Sequence, residues 1–176
     1  MSVDADERMI MQSKKDKRAK ALEDLINRLE FPKSWLTNSP GNRIECYDIS
    51  NIQGRYAVGS MVVFIDGEAK PSLYRRFRIR MKNTPDDFAM LQEVLTRRFK
   101  RIFLERYHNQ EYTDEEGFTV TVDKQLYARA KNWKSDESFA QIPDLVIIDG
   151  GKGQLSSTYR ILQNYGLANK VPIVGL

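Results

Sequence analysis

Two aspartates stand where strand-like stretches end, and strands of this kind usually carry apolar side chains into a core. By simple alternation Asp48 shares one face of its stretch with Ile44 and Cys46, so a carboxylate points where apolar groups point. Asp149 closes the apolar run 145–148. A lone buried carboxylate is costly unless it is paired or binds a cation. Two carboxylates on neighbouring strands would suit Mg²⁺ or Mn²⁺, which prefer oxygen ligands and can activate water against a phosphodiester.

Each aspartate also has an ordinary structural explanation. Asp48 could bond to loop amides near the end of its strand, and Asp149 with Gly150 could simply form a turn. The pair is a stronger indication than either residue, because parallel strands place their carboxyl ends at the same edge of a sheet.

A second acidic group opens a predicted helix. Thr84 and Pro85 form a helix start, and Asp86 and Asp87 follow in its first turn. Acids at this position stabilise a helix without any further function, and that explanation competes with a catalytic role. Glu93, in the middle of the helix, is a weaker candidate for a helix-borne carboxylate.

Basic and glycine-rich segments could contact phosphate groups. The turn 150–153 opens a helix, so its backbone amides could cradle a phosphate, with Lys152 adding charge. It is not a Walker A loop, because its glycine spacing differs and no Lys-Ser or Lys-Thr pair occurs. Arginines in the third strand and the first core helix could follow a nucleic-acid backbone, although a solvated surface is the commoner explanation for each. The residues predicted to contact DNA are Arg75, Arg76, Arg97, Arg98, Lys152 and Gln154.

These residues are positioned by a predicted order of elements. Three strands joined by hairpins come first, with Asp66-Gly67 as a turn, and a helix, a strand, a helix and a last strand follow. An antiparallel meander with parallel strands added through crossover helices is the ribonuclease H-like α/β pattern, in which the first and fourth strands are parallel neighbours. The predicted strands are 43–50, 57–66, 70–80, 144–149 and 171–175, and the predicted helices are 84 to beyond 102 and 154–165, the last ended by Gly166.

Three segments lie outside this pattern. Residues 1–18 are polar and charged and are predicted to be a disordered leader, and 19–42 form a lead-in helix and linker before the core at 43–176. Residues 109–143 are predicted to be an inserted excursion that carries a short hairpin or helix of its own.

Composition disfavours several other kinds of site. The single cysteine, Cys46, excludes an intrachain disulfide framework and a cysteine-based zinc site, and the single histidine, His108, disfavours a His-rich metal site. A net charge of +4 permits a nucleic-acid partner without requiring one. No apolar run approaches the ~20 residues of a membrane span and no apolar signal core is present, so a cytoplasmic location is expected.

A set of short motifs runs along the chain in order. They are 44–50 (IECYDIS), 53–54 (QG), 62–64 (VVF), 74–77 (YRRF), 86–88 (DDF), 95–99 (LTRRF) and 143–155 (PDLVIIDGGKGQL). Together they resemble the C-terminal endonuclease domain of the UvrC family, the incision subunit of the bacterial UvrABC nucleotide excision repair system. The resemblance covers about residues 19–176, and the last motif is the most specific.

The resemblance implies a ribonuclease H-like domain that uses a divalent cation to cut damaged DNA on the 5′ side of a lesion, together with UvrA and UvrB. Asp48 and Asp149 match two catalytic carboxylates of the family. Asp86 and Asp87 fall on a further acidic motif implicated in that activity, and the sequence leaves open which of them acts.

This sequence also departs from the family pattern. The family's catalytic histidine lies beyond the last strand, in a helix that this chain lacks, and Asn51 stands where histidine is common. The helix-hairpin-helix module, the N-terminal nuclease and the UvrB-binding segment are missing too, so we expect a fold that is incomplete at its C-terminus and weak or no cutting by this chain alone. Two other functions stay open: a non-catalytic nucleic-acid-binding or protein-docking module on the same fold, and an α/β domain that binds the phosphate of a small nucleotide.

Overall fold

The structure, a computed structural model, describes residues 3–36, 41–52, 56–79, 87–106, 111–113, 119–121, 139 and 141–176. Its α-helices in these ranges are α1 (Val3–Arg28), α2 (Asp87–Arg106) and α3 (Lys152–Asn164). Its strands are β1 (Arg43–Ile52), β2 (Tyr56–Ile65), β3 (Glu68–Ala69), β4 (Arg75–Arg78), β5 (Glu111–Thr113), β6 (Thr119–Thr121), β7 (Leu145–Ile148) and β8 (Ile173–Gly175).

The central sheet has the predicted ribonuclease H-like order. Its strands run β3-β2-β1-β7-β8, with β4 also beside β2. The first strands are antiparallel, whereas β7 and β8 are added in parallel, with α2 and α3 in the connections that precede them. The predicted fold class, and the parallel pairing of the first and fourth predicted strands, are therefore confirmed.

The first strand is longer than its parallel neighbour. β1 pairs with β2 over the whole of 43–52, but it pairs with β7 only over 44–47. The far end of β1 consequently extends past the end of β7.

One face of the sheet, here called the α2 face, carries the main core. Apolar residues recur along α2 at helical spacing and pack on this face. The helix packs tightly against Gly59 of β2, where a Cβ would lie 2.4 Å from Val94 Cγ2. The fully or nearly buried members are Tyr47, Met61, Val63, Phe77, Leu91, Val94, Leu95, Phe99, Ile102, Val146, Ile148, Leu162, Leu167 and Val171.

The opposite face, here called the α1 face, is covered over part of its area. Leu22 of α1 packs with Ile44 and Leu145, near the beginnings of β1 and β7. Farther along β1 the same face carries Asp48 and Ser50, and both are exposed. The packing of α1 therefore leaves the Asp48 end of this face open.

Two predicted turns have the backbone geometry that their residues suggest. Asp66 and Gly67 both have positive φ, 50° and 73°, as a type I′ hairpin turn requires. Gly166, with φ of 63°, ends α3, and the Leu167 N–H donates to the Leu162 carbonyl at 2.8 Å, as in a Schellman cap.

Two predictions are corrected. The third strand was predicted as one run over 70–80, but in the described part of that run only β4 is a strand. A 3₁₀ turn at Pro71–Leu73 separates β4 from the short β3 before it, because proline has no amide hydrogen for the ladder. The leader 1–18, predicted to be disordered, is helical from Val3 onward. It contains no glycine or proline in this part and is rich in good helix formers.

A short hairpin or helix was predicted inside 109–143, and the structure has the antiparallel pair β5 and β6 there. Thr84, Pro85, Asp86 and His108 lie outside the described residues. None of the helices in the described ranges combines the length and apolar character that a membrane span needs.

Candidate active site

Strand register brings two of the predicted aspartates to one edge of the sheet. β1 and β7 pair in parallel with Tyr47 opposite Ile148, and the next residues along are Asp48 and Asp149. The Asp149 N–H donates to the Tyr47 carbonyl at 3.0 Å, so the ladder continues up to Asp149. Both aspartates are exposed. The register therefore places them side by side where β7 ends.

A small cavity of about 50 Å³ opens beside Asp149 on the α2 face. Asp87, the first residue of α2, lines it together with Asp149 and with Gln154 of α3. Asp87 is thus the member of the predicted acidic pair that the structure places with Asp149, while Asp86 lies outside the described residues. The rest of the lining is aromatic or apolar and consists of Tyr47, Ile49, Leu91 and Ile148.

Asp48 lies at the same end of the sheet as the cavity, but on the α1 face. It does not line the cavity, and the Ser50 hydroxyl donates to its Oδ2 at 2.9 Å. In the described part of the chain no three acidic, histidine or cysteine side chains are grouped closely enough to form a metal cluster. Asp48 therefore stands on the α1 face and Asp87 on the α2 face, with Asp149 at the strand end.

The donor chemistry at this end fits a hard divalent cation. Asp48, Asp87 and Asp149 offer carboxylate oxygens, and Gln154 offers an amide oxygen. Cys46 precedes Asp48 on the same face, but burial, and then the charge of Glu45, raise its pKa to about 11. The thiol is consequently protonated at neutral pH and does not supply the thiolate that a soft metal prefers.

A buried ionic network, which was not predicted from the sequence, lies behind the site on the α2 face. Glu45 of β1 is inaccessible to solvent, and Arg98 Nη2 donates to its Oε1 at 2.6 Å. Arg43 Nε donates to the same oxygen at 2.7 Å, and the Tyr47 hydroxyl donates to Oε2 at 2.6 Å. Arg98 also donates to two carbonyls of the segment 139–141, at 3.2 and 2.6 Å.

This network joins the two elements that carry Asp48 and Asp87. Burial, and then the Glu45 carboxylate, raise the pKa of Tyr47 well above its usual range, so its hydroxyl remains a neutral donor. Burial acts to lower the pKa of Arg98, but its interactions with Glu45 and Tyr47 together outweigh burial, and the net shift is upward. Arg98 therefore stays charged, and its hydrogen bonds to Glu45 hold α2 to β1. The sequence did contain a sign of this network, because Glu45 is a charged residue within a stretch predicted to be a strand.

Comparison with protein families bears directly on this arrangement. The family model described as the UvrC RNase H endonuclease domain matches residues 34–176, a range that includes the sheet, α2 and α3. The chain belongs to the UvrC RNase H endonuclease domain family.

Longer proteins of known name are similar to this chain. It is 44% identical to UvrABC system protein C of Dehalococcoides mccartyi (strain CBDB1) over 137 residues, which are 78% of this chain and 18% of that protein. It is 40% identical to the protein of the same name from Citrifermentans bemidjiense over 158 residues, 90% of this chain and 18% of that one. For Prochlorococcus marinus (strain NATL1A) the values are 41% over 165 residues, 92% and 23%. The chain thus spans about a fifth of the length of the curated relatives it matches.

The basic residues predicted to contact DNA do not form one surface in the structure. Arg98 is fully buried in the ionic network, which corrects the prediction that it contacts DNA. Arg97 is half-exposed, lies over the Phe77 ring at 5.4 Å and donates to the Arg78 carbonyl at 2.9 Å. Arg75 donates to two carbonyls of the preceding turn, at 3.0 and 2.7 Å. The exposed members are Arg76 of β4 and Lys152 in the first turn of α3.

The glycines of the turn 150–153 are explained by close packing. A Cβ on Gly150 would lie 2.8 Å from Gln154 Cδ, so the glutamine side chain folds over this glycine. A Cβ on Gly153 would lie 2.4 and 2.7 Å from atoms of the Phe88 ring, so the beginning of α2 rests on the first turn of α3. The contact at Gly150 helps to place Gln154, which lines the cavity. The predicted phosphate-binding role of the turn stays a prediction.

Replacing Gly153 with alanine is expected to lower the free energy of unfolding by about 1–2 kcal/mol, because the new methyl group overlaps the Phe88 ring. Gly151→Ala is the matched control, since its φ is −77° and a Cβ there meets nothing nearer than 3.8 Å. Its cost should stay below about 1 kcal/mol, the loss of a glycine N-cap. Urea denaturation of both variants measures the difference, and equal losses would contradict the packing of α2 on α3.

Proposed function

We propose that this domain is the DNA-cutting core of a UvrABC excinuclease and that it hydrolyses a phosphodiester on the 5′ side of a lesion with Mg²⁺ or Mn²⁺. The observation that carries the proposal is the parallel register of β1 and β7, which sets Asp48 beside Asp149 at the sheet end that Asp87 also reaches. Membership of the UvrC RNase H endonuclease domain family supports it. The proposed partners are damaged double-stranded DNA, UvrA and UvrB, because the relatives are named as UvrABC system proteins, and the proposed location is the cytoplasm.

The three carboxylates have different positions and therefore different proposed roles. Asp48 and Asp149 would hold the cation, because they are exposed neighbours at the end of adjacent strands. Asp87 would complete the ligand set from the helix side, since it shares the cavity with Asp149. The cation, when bound, supplies charge neutralisation at the phosphate and lowers the pKa of water.

Other side chains at this end would bind and orient the substrate. Gln154 faces the cavity, so its amide could donate to an oxygen of the scissile phosphate. Lys152 is exposed in the first turn of α3 and adds positive charge at the helix end that already favours anions. Water then attacks phosphorus in line with the leaving oxygen, and the fixed donors offset the charge that develops.

The size of the cavity favours a polymer substrate. Sites for small ligands usually measure about 300–1,000 Å³, whereas this cavity measures about 50 Å³. It has room for an ion or a water molecule, which occupies roughly 30 Å³ in the liquid. The reacting strand would therefore lie outside it, against the exposed aspartates, and a small-nucleotide site is disfavoured at this end of the sheet.

The test is an incision assay on the whole protein C that carries this domain, with UvrA, UvrB and a lesion-bearing duplex that is already nicked on the 3′ side. The nick restricts the readout to the cut proposed for this domain. Cutting is expected with Mg²⁺ or Mn²⁺ and is expected to stop when EDTA is added, because the carboxylates alone would repel the phosphate. Gel-shift of the same complex in EDTA is the control for assembly. Undiminished cutting in EDTA would refute the metal-dependent mechanism.

A non-catalytic nucleic-acid-binding or protein-docking module is the second candidate, and the exposed basic residues favour it. That function predicts DNA binding that falls with salt but does not depend on Asp48 or Asp149. The two candidates therefore differ in one result, the effect of these aspartates on cutting.

A further inference from the structure

We propose that the open part of the α1 face is the surface along which the cut DNA strand lies, with Arg76 and Arg78 binding backbone phosphates beside the scissile one. The inference rests on the proposed nuclease function. The inference also names the face of the sheet that the DNA strand crosses and the direction in which that DNA strand runs from the aspartates.

Strand register produces a row of side chains across the sheet. Asp48 of β1 is opposite Ser60 of β2, and Ser60 is opposite Arg76 of β4. Residues directly opposite each other in antiparallel strands point to the same face, so these three form one row on the α1 face. Neighbouring strands are about 4.8 Å apart, which puts Arg76 roughly 10 Å from Asp48 along the row.

A second row runs parallel to the first. Ser50 of β1 is opposite Val58 of β2, and Val58 is opposite Arg78 of β4. Ser50 and Arg78 are exposed, and Val58 is half-buried. Two arginines therefore stand at the same side of an open surface, two strands away from the aspartate that is proposed to hold the cation.

This surface is accessible in the described structure. The packing of α1 is concentrated at Ile44 and Leu145, at the other end of the strands. Asp48 and Arg76 are exposed and Ser60 is half-buried. In the part of the chain that the structure describes, the Arg76 guanidinium has no hydrogen bond or ion pair, and the residue is exposed.

The chemistry of the two rows fits a phosphodiester backbone. Arginine presents a planar set of donors that binds phosphate in bidentate fashion, and Asp48 is the one carboxylate in these rows. The same DNA strand cannot lie on the α2 face, because helix α2 covers that face and Arg98 is buried there. A backbone whose scissile phosphate lies at Asp48 would consequently run across β2 toward β4.

The test measures binding of this chain to a short fluorescent DNA duplex over a range of NaCl concentrations, with EDTA present so that no cutting occurs. Arg76→Gln should flatten the plot of log K against log salt by roughly 0.9, the contribution of one phosphate contact, and R76Q/R78Q by roughly 1.8. Arg160→Gln is the matched control, because it removes the same charge from an exposed site on α3, on the opposite side of the sheet. Circular dichroism melting checks that all variants fold.

An unchanged slope in Arg76→Gln, or an equal change in Arg160→Gln, would overturn the proposal. Its failure can be told apart from failure of the nuclease function. If cutting needs a cation and Asp48 but Arg76→Gln has no effect on binding, the proposed DNA surface is wrong and the nuclease function stands. If the slopes change as expected but cutting continues in EDTA, the DNA surface stands and the metal-dependent mechanism is wrong.

Discussion

Replacing Arg98 with alanine is expected to lower the free energy of unfolding by about 3–5 kcal/mol, a large fraction of the 5–15 kcal/mol typical of a domain. The substitution removes the guanidinium that donates to the buried Glu45 carboxylate at 2.6 Å and so leaves that charge undercompensated. It also removes the donors to two carbonyls of the segment 139–141. Denaturation with urea, followed by circular dichroism, measures the loss.

Arg97 offers a matched control on the same helix. It is half-exposed, pairs with Glu93 at 3.2 Å and lies over the Phe77 ring. Arg97→Ala should therefore cost about 1 kcal/mol. The double variant E45Q/R98M should cost less than the sum of its single substitutions, because it removes both charges together. If Arg98→Ala were no more damaging than Arg97→Ala, the network would not hold α2 to β1.

Changing Asp48 or Asp149 to asparagine is expected to slow the 5′ incision at least about 100-fold in the whole protein C with UvrA and UvrB. Asparagine keeps the size of the side chain but removes the negative charge that would hold a divalent cation. Single-turnover cutting of the pre-nicked, lesion-bearing duplex measures the effect. Mn²⁺ titration of this chain, with and without the substitutions, gives a readout that does not depend on cutting.

Asp24→Asn is the control for these variants, because Asp24 is exposed on α1 and the substitution changes charge in the same way. Its incision rate should equal that of the unchanged protein. Asp87→Asn should have an intermediate effect, since Asp87 reaches the cavity from the helix side. A variant of Asp48 or Asp149 that folds and cuts at the unchanged rate would falsify the catalytic assignment.

The order of strands and the neighbouring aspartates could be predicted because local signals determine them. The Asp66-Gly67 pair requires a hairpin with positive φ at both residues, and its geometry agrees. The apolar run 145–148 marks a strand buried on both faces, which belongs beside the first strand in this topology. Once those strands are parallel neighbours, the positions of Asp48 and Asp149 follow from the register alone.

The role of Arg98 could not be predicted, because it depends on a contact between residues that are 53 positions apart in sequence. In the sequence Arg98 stands among basic residues from 97 to 101, and that setting suggests a solvated surface. The side of the helix that faces the sheet decides otherwise, and burial then requires a carboxylate partner. Glu45 is that partner, and neither residue identifies the other before the chain is folded.

The sequence also could not predict which face of the sheet would leave its basic residues exposed. Arg75 and Arg76 are adjacent in β4, so alternation sends their side chains to opposite faces. Which face is open depends on where α1 packs, and its contacts with Ile44 and Leu145 involve an amphipathic stretch far earlier in the chain.

The unequal lengths of β1 and β7 have a consequence for rigidity. Up to Tyr47, β1 is held by hydrogen bonds from strands on both sides, and beyond it β2 is its paired neighbour in the sheet. The part of β1 that is hydrogen-bonded to strands on both sides can open only when the centre of the sheet opens. The part that is paired with β2 can open locally at a lower free energy. Asp48 stands at the boundary between these two regimes. A DNA duplex that presses on the far end of β1 could therefore displace the backbone from Ser50 to Ile52 while the backbone that carries the aspartate stays in place.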